Sequence, residues 1–399
     1  MVCVSRFFKR FVFVISLVIF IALGLGYVQG VFGWSGVHAG DEQDAAYRQI
    51  GVYAEVLRKI QNFYVTEPNI PDVTSGALHG LMDSLDPDSS YLTADEYKVY
   101  KDGPTAELAQ VGITVSKRFG YATVVNVISG SPASQQHLRD GDVIESIGDH
   151  STHDLPLAVI RFMLEGKPGT TLTVSVVHPF KPDPDKIVLT RAVVAPPPLG
   201  EQLYENATIL YVKPGAMTAD RVDDIAAKIK AAGKGHKILL DLRDTSGNDF
   251  KQGLRLANLF IKQGTLASLE GQKFPQQLFP ADPAQCLTDA PLAVLINRGT
   301  YGAPELTAAA IAGLKRGDVV GERSFGEGSV QRTIDLPGGA ALLLTVAKYQ
   351  DPNGKKIEDE AVTPTVVVAS PSDDNEPMPA SNGDEPLNQA IALLKAKNG

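Results

Sequence analysis

The chain has 399 residues, 44% of them hydrophobic, enough for two or three domains with cores of their own. Its 37 basic and 46 acidic residues give a formal charge of −9, and no Lys/Arg cluster in the soluble part offsets it, so a general nucleic-acid binder is excluded. Two cysteines, Cys3 and Cys286, cannot build a disulfide framework, and seven histidines without ligand spacing argue against a metal enzyme; no metal or cofactor is expected.

Arg6, Lys9 and Arg10 precede residues 11–28, FVFVISLVIFIALGLGYV, which carry no charge. That length can cross a bilayer and is long for a signal-peptide core. Positive charge before the run and Asp41, Glu42 and Asp44 after it predict a cytoplasmic N-terminus, with the bulk outside the inner membrane, periplasmic in character. VHA at 37–39 would permit cleavage, but a retained anchor is the preferred reading. Residues 1–40 are therefore a membrane anchor or signal segment, and 41–103 a helical segment. Apolar residues at helical spacing (Ile50, Tyr53, Leu57, Ile60, Tyr64) predict a helix over 44–64, with a second over 73–84 that ends at the Asp86-Pro87 turn.

Residues 104–195 hold five short β-patterned runs (111–117, 121–128, 142–148, 171–178, 186–192) and a helix over about 155–164, a small β-rich domain. APPPLG at 195–200 is a stiff linker. From 208 strands alternate with helices: strands at 208–213, 237–243, 292–297 and 319–322, helices over 218–232, 249–262 and 304–314. This pattern predicts an α/β core over 196–370 with a mixed, largely parallel sheet. ALLLTVAKYQDPNGKKI (341–357) reads as a β-hairpin turning at Asn353-Gly354. Residues 371–399 comprise a polar, acidic, Pro-rich linker and a short helix over 387–397.

One junction carries more information than the rest. INRGTYGAPEL (296–306) follows an apolar run and leads into an Ala-rich stretch, the strand–turn–helix setting in which a nucleophile is often held. Its crest is Gly302, which has no side chain. Read alone, Gly302 suits a turn with positive φ, and Pro304 suits a first helical turn.

Several segments, in order, resemble the carboxyl-terminal processing peptidases, or tail-specific proteases. SGALHGLMDSLDPDSSYL resembles the helical segment before their PDZ domain, and VGITV with SGSPASQQHLRDGDVIESIGD resembles the PDZ domain itself. KILLDLRDTSG, the stretch from Leu292 to Gln331, and LLLTVAKYQDPNGKKIEDEAVTPTVVV resemble the protease core. The resemblance implies that core, a PDZ domain and a serine–lysine dyad acting on protein C-termini. In such a dyad a lysine takes the serine proton, which requires desolvation to lower its pKa.

The dyad itself is missing. In the family motif N-x-G-S-A-S-A-S-E the second Ser is the nucleophile; in NRGTYGAPE that position is Gly302. The lysine of F-G-K-G-x-x-Q is replaced by Glu327 in FGEGSVQ, in register, while the dyad-orienting glutamine is retained as Gln331. The oxyanion region maps to Gly247, Asn248 and Ala303, and Thr245 and Asn248 depart from D-L-R-x-N-x-G-G. Loss of both dyad halves implies loss of catalysis. In the PDZ domain the amides of Val111, Gly112 and Ile113 (QVGI) match a carboxylate-binding loop, with VIRFML (159–164) as the opposite wall. The expected protein is a membrane-anchored, catalytically inactive homologue that captures protein or peptide C-termini or regulates an active protease relative. The alternatives are an active serine peptidase with a relocated nucleophile and a purely structural partner.

Overall fold

A computed structural model describes residues 38–102, 109–118, 120–179, 181, 183–233, 235–368 and 383–397, with side chains from Tyr47 onward except that of Asp359. The uncharged run 11–28 lies outside the described residues, as does most of the expected acidic linker. Among the described residues no helix is long and apolar enough to cross a membrane.

The chain divides into two compact units, 1–74 and 75–399. The first holds helix α1 (His38–Phe63), which starts earlier than its apolar spacing predicts. Arg58 and Lys59 pair with Glu55 at i,i+3 and i,i+4 spacing, a local support of the kind that stabilises exposed helices. Helix α2 (Ile70–Asp83) crosses the boundary between the units.

In the second unit, β1 (Ser90–Leu92) and α3 (Ala94–Asp102) lead to the β-rich domain. Its short strand β2 (Ala109–Gln110) is followed by β3 (Ile113–Arg118), β4 (Tyr121–Val127), β5 (Val143–Ile147) and β6 (His150–Ser151). Helix α4 (Pro132–Gln135) is one turn long, and α5 (Leu157–Leu164) is the domain's principal helix. The two-residue β7 (Glu165–Gly166), then β8 (Thr171–Val177) and β9 (Asp185–Thr190), complete it. The five expected runs form one antiparallel sheet in the order β3-β4-β5-β8-β9. Leu157, Ile160 and Leu164 of α5 share a core with Val115, Val124, Ile144 and Leu189. Alternating apolar residues point them inward, which fixes the strand register.

The core begins with β10 (Gly200–Tyr204), β11 (Ile209–Lys213), α6 (Ala219–Ala232), β12 (Lys237–Asp241), β13 (Ser246–Gly247) and α7 (Phe250–Asn258). It continues through β14 (Thr265–Gly271), β15 (Phe274–Pro280), β16 (Leu292–Ile296), β17 (Tyr301–Gly302), α8 (Ala303–Gly313) and β18 (Asp318–Gly321). The last elements are β19 (Ser329–Asp335), β20 (Ala341–Gln350), α9 (Ile357–Glu360), β21 (Val366–Val367) and α10 (Glu385–Ala396). The central sheet runs β10-β11-β12-β16-β18-β21, antiparallel only at β10–β11. β16 is buried along its whole length, which explains its unbroken apolar run. One face packs Leu240, Val294 and Val319 against Phe260 and Ile311; the other packs Leu239, Leu295 and Val320 against Ala390 and Leu394 of α10.

A second, antiparallel sheet joins β1, β20, β14 and β15, with β19 on β20. It corrects the expected hairpin over 341–357. The chain does turn at Asn353-Gly354, where Asp351 N donates to Lys355 O and Gln350 bridges antiparallel to Lys356, but after that single bridge it continues as helix α9, not as a strand. The hairpin partner of β20 is β19, which precedes it. The helix expected over 249–262 is also shorter and ends at Asn258.

Candidate functional site

The strand–turn–helix junction is built as its sequence suggests. After β16, Thr300 Oγ1 donates to Leu242 O at 2.9 Å and accepts from Asn297 N, so this buried hydroxyl is part of the turn. Tyr301 and Gly302 then lie parallel to Ser246 and Gly247. Gly302 has φ 75° and ψ −119°, a strained conformation for any residue with a side chain. A Cβ added to Gly302 would overlap the carbonyl oxygen of Gly247, with the Asn248 side chain next nearest. A carbonyl, an acceptor, thus faces the crest. Ala303, the third residue of the expected oxyanion region, is buried at the start of α8.

Glu305, one turn into α8, organises the site. Its carboxylate accepts from Gly302 N (2.8 Å), Glu327 N (2.8 Å), Gly326 N (2.6 Å) and Ser324 Oγ (2.5 Å). Gly302 and Glu327 donate to the same oxygen, so the two positions separated in sequence meet across one atom. Burial pushes the Glu305 carboxyl up to about 7 against the pull of these donors.

Glu327 is buried and fully engaged. Tyr301 Oη donates to its Oε2 at 2.9 Å, and Ser329 Oγ donates to its Oε1 at 2.9 Å. Gln331 Nε2 donates to Ser329 Oγ at 2.6 Å, so the glutamine reaches Glu327 only through Ser329. Burial first, then the carboxylates of Asp88 and Glu358, push Glu327 up to about 8, while Arg161 and Ser329 pull it down. Asp88, Glu327 and Glu358 bring carboxylate oxygens within 4.8 Å of one another. Burial likewise pushes Glu358 up to about 7, although Gly328 N donates to it at 2.8 Å.

The β-rich domain closes over this cluster. Arg161 of α5 donates to Tyr301 Oη at 2.9 Å and lies 3.2 Å from Asp88. Thr114 Oγ1 meets Ser246 Oγ at 3.2 Å, and the Arg118 guanidinium stacks 4.4 Å from the Phe325 ring centre. Within the domain, Val111 O accepts from Ala133 N and Gly112 O from Ile128 N. Because the C=O and N–H of a trans peptide point in opposite directions, the N–H groups of Gly112 and Ile113 face away from those donors. Gly112 has φ 82° and an added Cβ would strike Ser131, so only glycine fits this loop.

Residues 208–368 match the peptidase family S41 and residues 109–187 match a PDZ domain. A carboxyl-terminal-processing protease of Picosynechococcus sp. is 30% identical over 301 residues, spanning 73% of this chain and 72% of that protein. The chain belongs to the carboxyl-terminal-processing protease family. The carboxy-terminal-processing protease of Bartonella bacilliformis is 28% identical over 338 residues, covering 83% of this chain and 77% of its relative. The fold matches the photosystem II D1 C-terminal processing protease with a TM-score of 0.66 at 24% identity, over 79% of this chain and 92% of that one.

In this member of the family the site holds five residues that the motifs do not single out, Asp88, Arg161, Tyr301, Glu305 and Glu358, together with Ser329, one of the hydroxyls close in sequence to the expected dyad positions. Some signals exist. Asp88 lies in LDPDSSYL, Arg161 interrupts the apolar VIRFML, and Glu305 closes the serine motif. Tyr301 stands where that motif has alanine, yet its side chain is almost wholly buried beside Glu327.

Proposed function

We propose that this member of the family binds extended or C-terminal peptide segments without cleaving them, and so captures protein C-termini or modulates an active relative. The observation that carries this reading is the pair Gly302 and Glu327, bridged by Glu305 at the family's two dyad positions. Acyl transfer by the family's chemistry needs a hydroxyl beside a neutral amine. Glycine offers no oxygen, and Glu327 is already engaged with Tyr301 and Ser329. Peptide capture is supported by the Val111–Ile113 loop, whose Gly112 and Ile113 amides are turned away from the Ala133 and Ile128 donors, a setting that suits a terminal carboxylate. Anchoring by residues 11–28, with the bulk outside, is part of the same reading and rests on the charge pattern alone.

The purified protein is expected neither to hydrolyse peptides nor to label with a serine-reactive phosphonate. Robust hydrolysis unaffected by Gly302→Ala would overturn the reading. A second reading, an active peptidase with a relocated nucleophile, is favoured by one contact: Ser329 Oγ lies between Glu327 and Gln331. Activity lost on Ser329→Ala, with the thermal midpoint retained, would establish it.

A further inference from the structure

A groove of about 540 Å³ runs over the core between α6, α7 and the β14–β15 hairpin. Its volume is in the range that accepts several side chains of a ligand. Leu254, Leu266 and Phe279 line it, and Leu278 on its wall is 56% exposed. Lys230, at the end of α6, and Lys251, in the first turn of α7, stand at its rim, both exposed. Neither has a carboxylate within ion-pair distance among the described residues. The third cation, Arg255, is neutralised by Asp223 at 2.6 Å. Asn258, also lining the groove, spends its amide within the fold, donating to Ile261 O and Asp282 O and accepting from Asp282 N.

The groove thus combines an apolar floor with two uncompensated positive charges, in a chain whose formal charge is −9. An apolar floor left in water is unfavourable, and the rim selects what covers it. We propose that this groove docks a segment of a partner protein in which apolar side chains are flanked by Asp or Glu. The apolar side chains cover Leu254, Leu278 and Phe279, above the buried Leu266, and the flanking carboxylates meet Lys230 and Lys251. Charge at the rim sets partner choice and the rate of association, while the floor supplies the buried area.

The groove also lies one helix away from the candidate site. On α7, Gly253 packs so closely against the Ala303 backbone that a Cβ there would overlap the Ala303 carbonyl. Thr307 Oγ1 donates to Gly253 O at 2.8 Å, tying α7 to α8. The same nine-residue helix therefore lines the groove and supports the turn at Gly302.

The test titrates the full-length protein with hexapeptides blocked at both ends, so that the PDZ loop has no free carboxylate to hold. The first carries Leu-Phe between pairs of acidic residues, the second replaces the acids by lysines, and the third replaces Leu-Phe by two alanines. The acidic apolar peptide should bind saturably and at least about tenfold tighter than either counterpart, and more weakly as salt rises. Lys230→Glu with Lys251→Glu, at exposed positions that leave the fold intact by circular dichroism, should remove that binding and favour the lysine peptide. Equal affinity for all three peptides, an unaltered double variant, or no binding at about 1 mM would overturn the proposal. So would self-association of the protein that the double variant abolishes without any peptide binding, since a second copy would then be the occupant.

Discussion

On the proposed reading, Gly302 supplies two reasons for inactivity in one residue. It lacks a nucleophile, and its backbone conformation leaves no room to add one. Restoring the family's residues by Gly302→Ser with Glu327→Lys is therefore expected to fail. Serine at φ 75° is strained and its Cβ meets the Gly247 carbonyl, so the fold should lose roughly 2 kcal/mol or more. Chemical denaturation and a peptide-cleavage assay on the double variant check both halves of this expectation. Glu327 gives a pH signature. Its pKa is about 8 in the folded protein against an ordinary 4.5, so the folded state holds a proton that the unfolded state releases across that interval. Its contribution is complete below about pH 4.5 and is lost as pH rises towards 8. Glu327→Gln keeps a neutral side chain at every pH. It should flatten this fall and leave the variant about 1–3 kcal/mol more stable than wild type above pH 8, measured by urea unfolding across pH.

At the scale of elements, three pieces of chain distant in sequence meet at the site. The start of α8 brings Gly302 and Glu305, the loop before β19 brings Glu327, and α5 brings Arg161. Glu305 links the first two with four accepted hydrogen bonds, three of them from backbone N–H groups. Glu305→Ala would strand those buried donors and should cost about 3 kcal/mol or more, read as a fall in the urea midpoint. Arg161 links the third. Arg161→Ala leaves Tyr301 Oη without its guanidinium donor and Asp88 without its cation, beside two further carboxylates. A loss of about 1–3 kcal/mol is expected, discounted because the Arg161 side chain is 35% exposed. Hydrogen exchange should quicken at Tyr301 and along α5 in that variant. Unchanged exchange at both would mean that the guanidinium does not hold the PDZ domain to the core.

For the whole molecule, the reading joins a peptide-binding domain to a protease core without the family's dyad. Peptides with a free apolar C-terminus should bind more tightly than their amidated forms, since only the former present a carboxylate to the Gly112 and Ile113 amides. Calorimetry on the full-length protein reads the difference, and equal affinities would remove the carboxylate loop from the account. A mature N-terminus at Gly40, found by sequencing the purified protein, would replace the proposed anchor with a cleaved signal.

The amino-acid sequence by itself determined most strands and helices of the PDZ domain and the central sheet, because buried strands and amphipathic helices leave distinct periodicities, as β16 and α6 do. Its spacing also carries the expectation that residues 302, 327 and 331 stand at the family's dyad and glutamine positions. It did not reveal the antiparallel sheet of β1, β14, β15, β19 and β20. Its two hairpins, β14–β15 and β19–β20, are joined to each other and to β1 only by long-range pairing through β20, and β15 and β19 are mostly exposed with little apolar alternation. The tertiary structure alone decided what surrounds Glu327. Whether a carboxyl is ionised or neutral depends on its dielectric surroundings and its neighbours within a few ångströms. Here those neighbours, Asp88, Arg161, Tyr301 and Glu358, come from four separate stretches of chain.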